Sequence, residues 1–230
     1  NVGTTIFTKM SKLAQEYNAI NLSQGFPDFP PNPKLVELVK QALDNNHHQY
    51  APLAGLGSLR ETLAEKLNNS YQLKYSAEHE ITITAGATQA IFTAISAFIQ
   101  PNDEVIVFKP AYDCYEPAIE LYGGKPVLVE MRAPEYKIDW QEVSAKINAN
   151  TKMIVINTPH NPTGTVLEKE DLLQLQQLTE NTNILILSDE VYEHLIYDGK
   201  EHQSVARFPE LAKRSLITYS FGKTFHVTGW

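Results

Sequence analysis

From residue 56 onward, short apolar runs alternate with stretches whose apolar positions recur every three or four residues. Ile81-Thr82-Ile83-Thr84, Val105-Ile106-Val107, Val127-Leu128-Val129, Ile154-Val155-Ile156, Ile184-Leu185-Ile186-Leu187 and Leu216-Ile217-Thr218 have the length and β-branched content of strands. Leu59, Leu63 and Leu67 align on one side of a helix, with Arg60, Glu61 and Glu65 turned outward. Ile91, Ala94, Ile95 and Phe98 form the apolar face of the next helix. Further helical patterns cover 140–147 and 171–178. Before residue 56 the signals are different. Helical patterns at 5–17 and 33–45, the second opening on Pro33, flank the turn Phe26-Pro27-Asp28-Phe29-Pro30-Pro31, which fits neither a helix nor a central strand. Apolar strands alternating with helices predict an α/β fold: a mainly parallel sheet with helices on both faces.

In such a sheet, ligands bind outside the carboxyl ends of the strands, so the residues that follow each apolar run are the candidates for chemistry. After 81–84 comes Ala85-Gly86-Ala87-Thr88, where small residues, a helix N-terminus and the Thr88 hydroxyl suit a phosphate. Glycine is common in strand-to-helix turns, so this turn alone does not define a phosphate site. Tyr112, after 105–107, presents an aromatic face that either packs in the core or stacks on a planar ring. The long string Asn157-Thr158-Pro159-His160-Asn161-Pro162-Thr163-Gly164 projects the Asn161 amide. His160 in it reads as a packing or hydrogen-bonding residue, with proton transfer as the alternative. Asp189 and Tyr192 follow 184–187. A carboxylate there is costly to bury without a cationic partner, although a solvated loop or helix cap is the simpler reading. Lys223, in Tyr219-Ser220-Phe221-Gly222-Lys223-Thr224, is either a surface lysine or an amine tuned by apolar surroundings.

Two other motifs fail on inspection. Gly222-Lys223-Thr224 ends like a phosphate-binding loop, but the glycine required five positions before Gly222 is Ile217. Gly55-Leu56-Gly57-Ser58-Leu59-Arg60 begins like a dinucleotide fingerprint, but it ends in arginine and follows no strand.

Composition narrows the partners. The 230 residues are 43% hydrophobic and 20% charged, as in a globular chain able to bury a sizeable core. The net charge of −8 argues against nucleic acid, and no stretch approaches a membrane span. The first residues lack the basic-then-apolar pattern of a signal peptide. One cysteine, Cys114, forms no internal disulfide, which points to a reducing, cytoplasmic setting and to a packing role for its thiol.

Taken together and in order, His160-Asn161-Pro162-Thr163-Gly164, Ser188-Asp189-Glu190-Val191-Tyr192 and Ser220-Phe221-Gly222-Lys223 resemble the class I aminotransferases of pyridoxal-phosphate (PLP) fold type I. The stretch Asn21-Leu22-Ser23-Gln24-Gly25-Phe26-Pro27-Asp28-Phe29-Pro30 is similar to the branch holding methionine and kynurenine aminotransferases. The resemblance implies that Lys223 carries the cofactor and moves the substrate's α proton. Asp189 would pair with the pyridine nitrogen, and Asn161 and Tyr192 would bond the ring oxygen. Tyr112 would stack on the ring. Ala87, Thr88 and Ser220 would hold the phosphate, joined by Tyr50 from a neighbouring subunit of a homodimer with shared sites. Gly25 and Asn161 would lie beside the substrate, and no metal is implied.

By the same resemblance, residues 1–46 form an N-terminal arm and the start of a small domain, and 47–230 form the PLP-binding large domain. The family pattern continues past Trp230 with a basic residue, further strands and a C-terminal small domain bearing an arginine for the substrate carboxylate. The expectation is therefore a partial chain with most of the cofactor site and half of the substrate site. The implied reaction moves an amino group from an amino acid (methionine, aromatic or glutamine) to a 2-oxo acid. The alternatives are β-elimination from cysteine S-conjugates and a catalytically silent truncated module.

Overall fold

The computed structural model describes residues 3–25 and 27–230. Asn1, Val2 and Phe26, the last of which belongs to the proline-rich turn, lie outside them. Helices α1 (Ile6–Glu16) and α2 (Pro33–Asp44) come first. The Thr5 hydroxyl caps α1 by accepting from Thr8 N–H. The Asn32 side chain caps α2 by accepting from Lys34 N–H, with Pro33 in the first turn. Neither helix contains a buried residue.

The alternating part follows as α3 (Gly57–Tyr71), α4 (Ala87–Phe98), β1 (Glu104–Lys109), α5 (Tyr115–Leu121), β2 (Lys125–Glu130), α6 (Trp140–Lys146), β3 (Thr151–Asn157), α7 (Lys169–Thr179), β4 (Leu185–Asp189), α8 (Pro209–Ala212), β5 (Ser215–Thr218) and α9 (Phe221–Thr224). The five strands pair in parallel in the order β2-β1-β3-β4-β5. Successive strand residues face opposite sides. Val105, Val107 and Val155 pack with Ile91, Ile95 and Ile119 of α4 and α5. Ile106, Phe108, Ile154 and Ile186 pack with Val143 of α6 and Leu172 and Leu175 of α7. Each fully buried aliphatic side chain contributes roughly 1.5–3 kcal/mol. Two apolar layers therefore hold the sheet from both faces and fix where its carboxyl edge lies.

One expected strand is absent. Residues 81–84 carry no regular secondary structure and belong to no sheet among the described residues. Their alternation of Ile and Thr states a preference, but a strand also needs a neighbour to complete its ladder. The Ile83 N–H donates to Ala54 O at 3.0 Å, and no ladder continues from that bond. The contact is close because Gly55 sits at φ +97°, where a Cβ would overlap the Ile83 side chain. Helix α5 is the converse case: Pro117 in its first turn masks the helical pattern that the equally short α6 shows in the sequence.

Candidate active site

The carboxyl ends of β3, β4 and β5 lie side by side, and Asn157 pairs with Asp189, which pairs with Thr218. Asp189 closes β4 and is buried. Its Oδ2 accepts from Tyr115 Oη at 2.6 Å. Its Oδ1 accepts from Val191 N–H at 3.3 Å and Thr218 Oγ1 at 3.4 Å. Burial, the largest effect, pushes its carboxyl above the ordinary value, and these three neutral donors pull it back only in part. No cation pairs with it among the described residues. An acid held this way, at the edge where ligands bind, is suited to a protonated nitrogen.

Around it the chain gathers aromatic rings and short polar side chains. Tyr112 meets Tyr115 edge to face, with centroids 5.9 Å apart. Burial raises the Tyr112 phenol, and a bond with the Thr88 side chain opposes that rise. Burial, followed by the charge of Asp189, raises the Tyr192 phenol. Lys223, on α9, places Nζ 5.6 Å from the Tyr192 ring centroid, and its own backbone N–H reaches Ser220 Oγ at 3.4 Å. Gly86 precedes α4 at φ +81° and ψ 167°, a conformation favoured almost only by glycine. No side chain caps the helix there. The first N–H groups of this 12-residue helix, from Ala87 and Thr88, are thus free to meet an anion.

Asn161 is held in the turn after β3, where its N–H donates to Asn157 Oδ1 at 2.7 Å. His160 is buried in the same turn, and its Nδ1 is 2.8 Å from Thr163 Oγ1. Burial lowers its pKa to about 4, which makes it a neutral packing residue here. Cys114, at the start of α5, is half-buried, and burial pushes its thiol up to about 12.

The structure thus brings Thr88, Tyr112, Asn161, Asp189, Tyr192, Ser220 and Lys223 to one edge of the sheet, with Ala87 at the adjoining helix start. Tyr50 is fully exposed, and among the described residues no hydrogen bond links Tyr50 or Gly25 to these side chains.

Two groups went unread in the sequence. Tyr115, the closest partner of Asp189, carried only its three-residue spacing from Tyr112 as a signal. Behind the edge, fully buried Glu190 accepts from Ser188 Oγ at 2.8 Å and Val205 N–H at 3.2 Å, and meets His202 Nε2 at 2.9 Å. Buried Glu193 bonds Lys66 and Tyr71 and ties α3 to this layer. Consecutive acids with different partners separate the one turned toward the ligand edge from those that hold the scaffold.

A parallel α/β sheet with a buried acid, a lysine and a helix N-terminus at its carboxyl edge is the architecture of a ligand-binding α/β domain. Residues 17–230 match the family described as aminotransferase class I and II, and the chain belongs to that family. It is 45% identical over 229 residues to a methionine aminotransferase of Escherichia coli strain K12, covering 100% of this chain and 59% of that protein. It is 38% identical over 238 residues to kynurenine–oxoglutarate transaminase 3 of Homo sapiens, covering 99% and 52%. The crystal structure of an Escherichia coli protein with methionine aminotransferase function superposes with a TM-score of 0.95 at 43% identity, over 100% of this chain and 62% of that one. The chain therefore spans between half and two thirds of the length of these relatives.

Proposed function

We propose that this chain carries the cofactor site of a PLP-dependent aminotransferase. The observation that carries the reading is the buried Asp189 carboxylate, which has neutral donors and no cation. A pyridine nitrogen that keeps its proton beside this acid supplies the partner it lacks. The uncapped start of α4 and the Ser220 hydroxyl suit the phosphate, and Lys223 suits the aldehyde. The residues present thus fit the group.

When bound, pyridoxal phosphate supplies an electron-withdrawing ring that takes up the electron pair released at the substrate's α carbon. The chain's own residues do the rest. Asp189 holds the proton on the ring nitrogen, and Asn161 and Tyr192 bond the ring oxygen. Tyr112 covers the ring, while the Ala87 and Thr88 N–H groups, the Thr88 hydroxyl and Ser220 bind the phosphate. Lys223 Nζ holds the cofactor and then, as a free amine, moves the proton at the α carbon. The same reading gives Gly25 to the substrate and Tyr50 to the phosphate site of a second subunit in a homodimer. Methionine, aromatic amino acids and glutamine are the favoured donors, with 2-oxo acids as acceptors. The names of the relatives support methionine and kynurenine among these. No helix among the described residues is long and apolar enough to cross a membrane, and the single cysteine supports a cytoplasmic setting.

The test is covalent labelling. The protein expressed from its complete coding sequence is expected to absorb visible light and to lose that band on borohydride treatment, with the label on Lys223. A label on Lys109 or Lys169 overturns the assignment.

A further inference from the structure

Asn157 is the last residue of β3, buried, and paired across the sheet with Asp189. Both ends of its side chain are engaged. Nδ2 donates to the Asp189 carbonyl at 2.9 Å, and Oδ1 accepts from the Asn161 N–H at 2.7 Å. One planar amide therefore joins the backbone of two residues separated by 28 positions in sequence. Thr158 N–H adds a second bond to the same Asp189 carbonyl at 3.0 Å. A plain strand ending could be closed by backbone bonds or solvent. Here both ends of a rigid side chain are committed inside the protein, and both commitments end on residues of the candidate site.

We propose that Asn157 is a positioning residue that sets the separation between Asp189 and Asn161. It thereby fixes where the acid of the pyridine nitrogen stands relative to the donor of the ring oxygen. The inference rests on the PLP reading above. An amide is the side chain this position requires. It offers N–H donors at one end and a carbonyl acceptor at the other in a fixed plane, whereas a carboxylate offers no donor to the Asp189 carbonyl and an aliphatic group offers neither. Asn157 itself touches no ligand in this account. It acts through the two backbones it holds, and a displacement of under an ångström at such supports weakens a preorganised site.

The experiment uses the holoenzyme from the complete coding sequence, with Asn157→Leu and Asn157→Ser beside the wild type. In each, the dissociation constant of pyridoxal phosphate, the ratio of the visible absorption bands at fixed pH, and kcat and KM for methionine are measured. The proposal expects cofactor affinity and kcat to fall about tenfold or more, with KM within about twofold and a changed band ratio. A folded Asn157→Leu with wild-type affinity, band ratio and kcat overturns it. If Asn157→Leu does not fold, Asn157→Ser, which is too short to span both partners, decides by the same criteria. Equal loss of KM and kcat with an unchanged band ratio marks general loosening and also overturns it. Borohydride labelling of wild-type Lys223 in the same preparation separates the two levels. With Lys223 labelled and the variants unaltered, only the role of Asn157 falls. With Lys223 unlabelled, the PLP reading falls and takes this role with it.

Discussion

Tyr115 Oη lies 2.6 Å from Asp189 Oδ2, and both residues are buried where β4 meets the start of α5. This bond is the shortest of the three that hold the carboxylate. It opposes the upward push of burial, so it helps keep Asp189 charged. The Tyr115 phenol is itself held well above its usual value, first by burial and then by Asp189, and so remains the donor. Tyr115→Phe is expected to raise the Asp189 carboxyl further and to weaken its hold on the ring proton. The expected result is a fall in kcat of about tenfold with KM little changed, checked by steady-state kinetics on the holoenzyme.

Asp189→Asn should separate stability from activity. Because burial raises this carboxyl, the folded apoprotein binds its proton more readily than the unfolded chain does. The stability that follows is present below the ordinary carboxylate value and is lost as pH rises through the raised one. At neutral pH the acid is therefore a burden that the apoprotein carries for its ligand. The neutral amide removes that burden, and the apoprotein Tm at pH 7.5 is expected to rise. Turnover is expected to fall by roughly 10²–10³, the range for losing a critical electrostatic partner. Calorimetry of the apo form and kinetics of the holo form check the two halves. Wild-type turnover would make Asp189 a purely structural acid.

His160 gives a pH dependence of the opposite sign. Its pKa falls from 6.5 to about 4 because burial disfavours the charged ring. The unfolded chain binds this proton first, so the stability it contributes is complete above about pH 6.5 and is lost as pH falls toward 4. Between pH 7 and pH 4.5 the loss from this residue should be about 2.4 kcal/mol. His160→Gln can still bond Thr163 but does not titrate. The difference in urea-unfolding free energy between wild type and variant should shrink or reverse by that amount across the same interval.

The centre of the sheet was legible in the sequence because runs such as 105–107 and 154–156 are buried on both faces and so carry no polar positions to blur them, whereas the edge strands β2 and β5 are only partly buried. Residues 81–84 carried the same local signal. Pairing is a relation between segments, however, and the sequence of one segment does not contain it. The site was legible to a different depth. Asp189, Asn161 and Lys223 each follow an apolar run, so the rule that ligands meet the carboxyl edge of a parallel sheet reaches them directly. Tyr115 and Asn157 work through other residues. Their signal lies in where a side chain ends after folding, and no spacing in the sequence encodes a bond from position 115 to 189 or from 157 to 189.

The last prediction concerns Tyr50, which the fold leaves fully exposed and outside the gathered site. It lies on the segment between α2 and α3, in Gln49-Tyr50-Ala51-Pro52, and a residue on such a segment can extend to a second subunit. If Tyr50 serves the phosphate site of its partner, each active site takes Lys223 from one subunit and Tyr50 from the other. A Tyr50→Phe subunit paired with a Lys223→Ala subunit then gives one site with both defects and one with neither. Mixing the two inactive or weakened homodimers under conditions of subunit exchange should restore activity. A statistical mixture should approach about a quarter of wild type, since half of the dimers are hybrids and each hybrid has one intact site of two. Exchange is verified independently by mass spectrometry of differently tagged subunits. Verified hybrids with no recovered turnover would place Tyr50 in its own subunit's chemistry or outside the site altogether.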